Sequence, residues 1–224
     1  MKIVKGTVVL ETLEEIADPA HTALLVIDIQ NDNSSPQGIL ALQGRDISWI
    51  RETLPRIKNV LDEARKLGLL VVFTRVTWSK DGSHNSGPLL RTHERSVHAA
   101  GLTEYEIEGT WGNEVLEELA PRPDEPQIIK YRMSSFIGTP LDLILKNREI
   151  KSAVVVGLVT QICVESTVRD LEQYGYYPVV LKDCVASSSP KLHEASMLFM
   201  SSRYDVIASA ELLKLWHSAK TGKA

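Results

Sequence analysis

Cysteine is scarce: Cys163 and Cys184 are the only two in 224 residues. No disulfide framework is expected from them. Nor does any run approach the roughly 20 apolar residues that span a bilayer; the densest stretch is Ala153 to Val159. Neither sign of charge dominates. Lys plus Arg is 25 against 29 Asp plus Glu, a net charge of −4. That balance argues against nucleic-acid and membrane partners. Three familiar motifs are also absent: G-x-G-x-x-G after a strand, G-x-x-x-x-G-K-[ST] and G-x-S-x-G. Nucleotide binding and serine hydrolysis thereby lose their usual support. The opening MKIVKGTVVLETLEE is interrupted by Lys5 and followed by Glu11, Glu14 and Glu15. It does not read as a signal peptide, so a cytoplasmic protein is expected.

What remains is 43% hydrophobic and 24% charged, the balance of a globular chain rather than a disordered or coiled-coil one. The length suits one α/β domain over residues 1–224, and no linker or internal repeat divides it. Continuous apolar runs recur: Ala23 to Asp28, Leu69 to Thr74, Gln127 to Lys130, Ser152 to Leu158, Pro178 to Asp183 and Asp205 to Ser209. Unbroken rather than alternating runs suit strands covered on both faces, as parallel sheets require. Helical patterns lie between them: Ile47 to Leu67, Gly112 to Leu119, Pro140 to Lys146, Ile162 to Tyr174, Pro190 to Ser202 and Ala210 to Lys220. Alternating strands and helices predict a three-layer, doubly wound α/β fold around a six-stranded parallel sheet. Residues 1 to 10 suit an edge strand or an arm. Lys80 to Gly109, rich in Gly, Ser and His, breaks the rhythm and reads as an insertion over the rim of the sheet, either a lid or a surface loop. Its His84, His93 and His98 have no recognised metal spacing.

In such folds ligands bind beyond the carboxyl ends of the strands. Three residues there carry chemistry. Asp28 closes the first strand, Lys130 the third, and Cys163 lies just past the fourth where a helix begins. A helix N-terminus favours a thiolate, and its free N–H groups can bind an oxyanion. Taken singly, each has an ordinary reading. Cys163 can be a small buried apolar residue, Asp28 a turn former and Lys130 a solvated strand end. Together they supply a nucleophile, a base and an electrostatic partner. For substrate contacts the candidates are Gln30, Arg75, Trp78, Trp111, Tyr131 and Phe136. The four aromatics could wall a pocket, and Arg75 could clamp a carboxylate.

At these residues the sequence resembles the isochorismatase-like cysteine hydrolases, which include nicotinamidases, N-carbamoylsarcosine amidohydrolases, biuret hydrolases and ureidoacrylate amidohydrolases. LLVIDIQND is similar to the family block with the catalytic Asp, implying Asp28. IIKYRMSSFIGTPLDLIL is similar to the block with the catalytic Lys, implying Lys130. VVVGLVTQICVESTVRDLEQYGY is similar to the block with the nucleophile, implying Cys163, and VVLKDCVAS to the strand that follows.

The resemblance further implies a homodimer or homotetramer, a cis peptide at Val159–Thr160, and an oxyanion hole built from the Thr160 and Cys163 backbone N–H groups. The implied reaction is hydrolysis of a C–N bond in a small amide or ureido compound, with water as the second substrate. Vinyl-ether hydrolysis of isochorismate type is the alternative, and a non-catalytic interaction module the third reading. Metal-binding nicotinamidases carry Asp-x-His where this chain reads TRVTWSKDGSH, with Arg75, Val76 and Trp78. No metal and no cofactor are therefore expected. EGTWG and the Lys130 block are most similar to ureido-type amidohydrolases, although relatives with Arg-Tyr-Ser differ from the Arg132, Met133, Ser134 found here.

Overall fold

The computed structural model describes residues 1–96, 101–102 and 104–221. It begins with a hairpin, β1 (Lys2–Val4) and β2 (Thr7–Val9), paired antiparallel and separate from the main sheet. Next come α1 (Leu13–Ile16), capped reciprocally by Thr12 and Glu15, and β3 (Thr22–Ile27). Short helices α2 (Asn31–Ser34), α3 (Ile39–Leu42) and α4 (Ser48–Arg51) lead into α5 (Leu54–Leu67) and β4 (Leu70–Val76). One helix was expected over Ile47 to Leu67. Pro55 splits it, because proline lacks an N–H and its ring obstructs the preceding turn. Gly68, with φ +73°, ends α5 in the left-handed conformation.

The inserted segment holds α6 (Gly87–Ser96), so part of it is regular after all; His98 lies outside the described residues. There follow β5 (Gln127–Lys130), α7 (Leu141–Asn147), β6 (Ser152–Leu158) and α8 (Glu165–Gln173). The chain closes with β7 (Tyr177–Ala186), α9 (Pro190–Ser201), β8 (Asp205–Ile207) and α10 (Ser209–Thr221). The helix expected over Gly112 to Leu119 is instead two 3-10 turns, Trp111–Asn113 and Glu117–Leu119. Between them the Glu114 carbonyl accepts from the Asn31 N–H (2.9 Å), and the Leu116 N–H donates to Ile29 O (3.0 Å). Backbone groups spent on that extended pairing cannot also serve a helix.

The six-stranded sheet is parallel throughout, in the order β5-β4-β3-β6-β7-β8. It separates two cores. Leu24 and Val26 point into one, with α5 and α10. Ala23, Leu25 and Ile27 point into the other, with α7 and α8. The three layers are those the sequence predicts, and burial on both faces explains the unbroken apolar runs.

Chain order reverses between β3 and β6, so their connections leave in opposite directions and a crevice opens beyond their carboxyl ends. The two strands approach closely there. Gly157 has φ +122°, and a Cβ on it would collide with the Ile27 carbonyl oxygen. Only glycine meets both conditions. No helix among the described residues is long and apolar enough to cross a membrane.

Candidate active site

Asp28 follows β3, Cys163 follows β6, and Lys130 ends β5, so all three reach the crevice. Asp28 has φ +51°, a conformation uncommon outside glycine and retained where the surroundings enforce it. Here the Asp28 N–H donates to Thr74 O (3.2 Å), and Asn33 Nδ2 donates to the Asp28 carbonyl (3.0 Å). Thr74 Oγ1 then donates to Asp28 Oδ1 at 2.7 Å, orienting the carboxylate.

Lys130 is fully buried. Its Nζ lies 2.7 Å from Asp28 Oδ2 and 3.3 Å from Cys163 Sγ. The same ammonium donates to the carbonyls of Arg132 (3.1 Å) and Met133 (3.0 Å). Burial alone would lower the Lys130 pKa. The Asp28 charge, and Cys163 after it, outweigh burial and hold it above the usual lysine value. Lys130 is therefore a fixed positive charge.

Cys163 sits in a π-helical turn, Thr160–Val164, that leads into α8. The expectation that a helix start lowers its pKa is corrected by the surroundings. Burial pushes the thiol up; Lys130 pulls it down and Asp28 pushes it up again. The thiol holds its proton at rest; Sγ accepts from Lys130 Nζ at 3.3 Å and lies 3.9 Å from Met133 Sδ, with the Asp28 carboxylate on the same ammonium. The cis peptide is Leu158–Val159, one bond earlier than the Val159–Thr160 expected. The Thr160 hydroxyl is tied to His193 Nδ1 at 2.9 Å, which anchors the turn.

A cavity of about 450 Å³ opens over the thiol, with Asp28 and Cys163 on its wall. That size suits a small molecule. Trp78, Val76, Met133 and Ile162 give it apolar surface. Leu89, Thr92 and His93 of α6, with Tyr105 and Glu106, also line it. The inserted segment thus covers the site. The Trp78 and His93 rings pack at a tilt of 55° with centroids 3.9 Å apart.

Of the substrate candidates only Trp78 lines this cavity. Gln30 instead stitches the end of β4: its side chain accepts from Val76 N and donates to Val76 O and Asn113 O, each at 3.0 Å. Strand alternation turns Arg75 to the opposite face of β4 from Thr74 and Val76. Trp111 is 51% exposed, outside the cavity. Tyr131 follows Lys130 and faces away from it. It stacks on His84 at 4.0 Å and donates to Glu108 Oε1 at 2.9 Å, beside a neighbouring cleft. Phe136 is core, stacked on Tyr174 at 4.6 Å.

Sequence reasoning missed Glu106, Asn33 and Thr74. Glu106 is 4% exposed. Burial, and then the Asp28 charge, raise its pKa to about 8, so it is a neutral acid at pH 7. Nothing in EYEIEGTW marks the middle glutamate of three as the buried one. Among the described residues no group of three or more His, Cys, Asp or Glu could hold a metal ion.

The fold agrees with the comparisons. The isochorismatase domain model matches residues 22–211, and the chain belongs to that family. A cysteine hydrolase from Pseudomonas syringae pv. phaseolicola is 25% identical, with a TM-score of 0.78 over 90% of this chain and 95% of that one. A nicotinamidase/pyrazinamidase from Bacillus subtilis is 26% identical, with a TM-score of 0.70 over 84% and 99%. An N-carbamoylsarcosine amidase from Thermoplasma acidophilum shares the fold at 23% identity, with a TM-score of 0.66 over 84% and 96%. The family is one of hydrolases that includes cysteine hydrolases and nicotinamidases.

Proposed function

We propose that the protein is a cysteine hydrolase that cleaves the C–N bond of a small amide or ureido compound through a thioester. The observation that carries this reading is one buried ammonium, Lys130 Nζ, set 2.7 Å from Asp28 Oδ2 and 3.3 Å from Cys163 Sγ, behind the cavity wall that Asp28 and Cys163 line.

Asp28 takes the thiol proton, and Lys130 stabilises the thiolate as it forms. Burial favours the neutral thiol at rest, which then needs a nearby base to ionise, and Asp28, held on the same Lys130 ammonium, supplies it. Sulfur attacks the carbonyl carbon and forms the C–S bond. The oxyanion sits on the backbone N–H groups of Thr160 and Cys163, at the start of a helical turn where N–H groups lack helical partners. On collapse the C–N bond breaks, and the leaving nitrogen takes the proton from Asp28. Water then gives a proton to Asp28 and attacks the thioester. The C–S bond breaks, the acid leaves and the proton returns to sulfur.

Ammonia release from a panel of nicotinamide, carbamoylated amines, biuret and malonamide-like compounds tests the reading. At least one is turned over by the wild type, and Cys163→Ala abolishes that turnover while melting like the wild type. Residual hydrolysis in Cys163→Ala would refute the covalent route. Cleavage of a vinyl ether without ammonia release would favour the isochorismate-type reaction instead.

A further inference from the structure

Glu106 is a buried carboxyl group on the wall of the cavity that holds Cys163, and the chemistry above makes no use of it. It is firmly placed. Its N–H donates to Asp32 Oδ2 (2.7 Å), and its carbonyl accepts from Trp78 N (3.0 Å) and Asn113 Nδ2 (3.2 Å). These contacts hold it at φ +54°, the same left-handed region as Asp28. Asn33 Nδ2 joins the two carboxyl-bearing residues, donating to Glu106 Oε1 and to the Asp28 carbonyl, each at 3.0 Å. Two non-glycine residues held at positive φ on one cavity wall mark a built feature rather than chance burial.

Among the described residues the cavity wall carries acids but no strong base. Asp28 and Glu106 line it, and no lysine or arginine among the described residues does. Lys130 lies behind the wall and is already paired with Asp28. A substrate carboxylate entering this space would meet no lysine or arginine on the described wall, and burying an unpaired charge is costly. A neutral amide or urea brings N–H and C=O groups that a carboxyl can meet as acceptor and donor.

We propose that Glu106 is a substrate-binding residue that sets specificity, and that the cavity takes an uncharged carboxamide or urea with an apolar body while discriminating against carboxylate-bearing analogues. The proposal rests on the amidase reading above. It extends that reading to the class of substrate. The raised pKa of Glu106 fits, because a neutral acid both donates and accepts at pH 7.

Two matched pairs test it. In the first, ammonia release from N-butylurea and butyramide is compared with release from N-carbamoyl-4-aminobutyrate and succinamate. The neutral members are expected to have the higher kcat/KM by about tenfold or more. Glu106→Ala should lower kcat/KM for them by about ten- to a hundredfold, chiefly through KM, and Glu106→Gln should restore most of it. A wild type that prefers the carboxylates, or a Glu106→Ala variant with unchanged KM, overturns the proposal.

The second pair needs no turnover. Cys163 is alkylated with neutral iodoacetamide and with anionic iodoacetate, and the rate ratio is compared with that for glutathione. A ratio well above that of glutathione supports the proposal, and an equal or lower one overturns it. If no amide is hydrolysed but the alkylation ratio is high, the amidase reading falls while the charge selectivity of the cavity stands.

Discussion

Lys130 Nζ lies 2.7 Å from Asp28 Oδ2 although β4 separates the strands that carry them. Both side chains are buried, so each charge depends on the other. Removing one partner of a buried pair costs about 3–5 kcal/mol, because the other is left uncompensated. Lys130→Met is therefore expected to lower the unfolding free energy by that order, and adding Asp28→Asn should recover part of the loss. Urea unfolding of the two single variants and the double variant measures this. A Lys130→Met protein as stable as the wild type would show the pair to be energetically idle.

Thr74 orients the Asp28 carboxylate from outside the cavity lining. Its hydroxyl donates to Asp28 Oδ1 at 2.7 Å, on the side away from Lys130. Thr74→Val keeps the shape and removes the donor to a charged group, an interaction worth about 1.5–3 kcal/mol. The expected result is a fall in kcat of about tenfold or more with KM little changed. Steady-state kinetics on the best amide from the panel decide it; a change confined to KM would place Thr74 in binding instead.

Glu106 ties stability to pH. Its pKa is about 8 in the fold against an ordinary value of 4.5. Between those values the unfolded chain has released a proton that the folded protein retains. Its stabilising contribution is complete below about pH 4.5 and is lost as pH rises through about 8, by an amount on the order of a few kcal/mol. The difference in unfolding free energy, wild type minus Glu106→Gln, should decline from pH 5 to 8 and then level off. Chemical denaturation across that range follows it, and a flat difference would mean that Glu106 is ionised throughout.

Gly157 is expected to tolerate no side chain. At φ +122° an added Cβ is strained and collides with the Ile27 carbonyl oxygen. Gly157→Ala should cost about 3 kcal/mol or more, by backbone strain together with displacement of β3 from β6. A thermal melt lowered by only a degree or two would show that the strands can part without penalty.

The sequence by itself determined the sheet. Strands buried on both faces must be apolar without interruption, and all six apolar runs became strands, the edge strands β5 and β8 being covered less completely than the central four. It also marked Asp28, Lys130 and Cys163, since each stands where an apolar run gives way to polar residues. Tertiary structure decided what surrounds them. Tyr131 is adjacent to Lys130 in the chain yet faces another cleft, because successive strand residues point in opposite directions. Residues 114–116 pair with 29–31 instead of coiling, a choice made by a partner some 80 residues distant in sequence, as in the contact between Asn31 and Trp111. Glu106 looks like its neighbours Glu104 and Glu108 in the sequence. It becomes a buried acid only because Asp32, Asn33, Trp78 and Asn113 close around it. Patterns along the chain report which residues avoid water; which polar groups are enclosed together depends on contacts that no local pattern encodes.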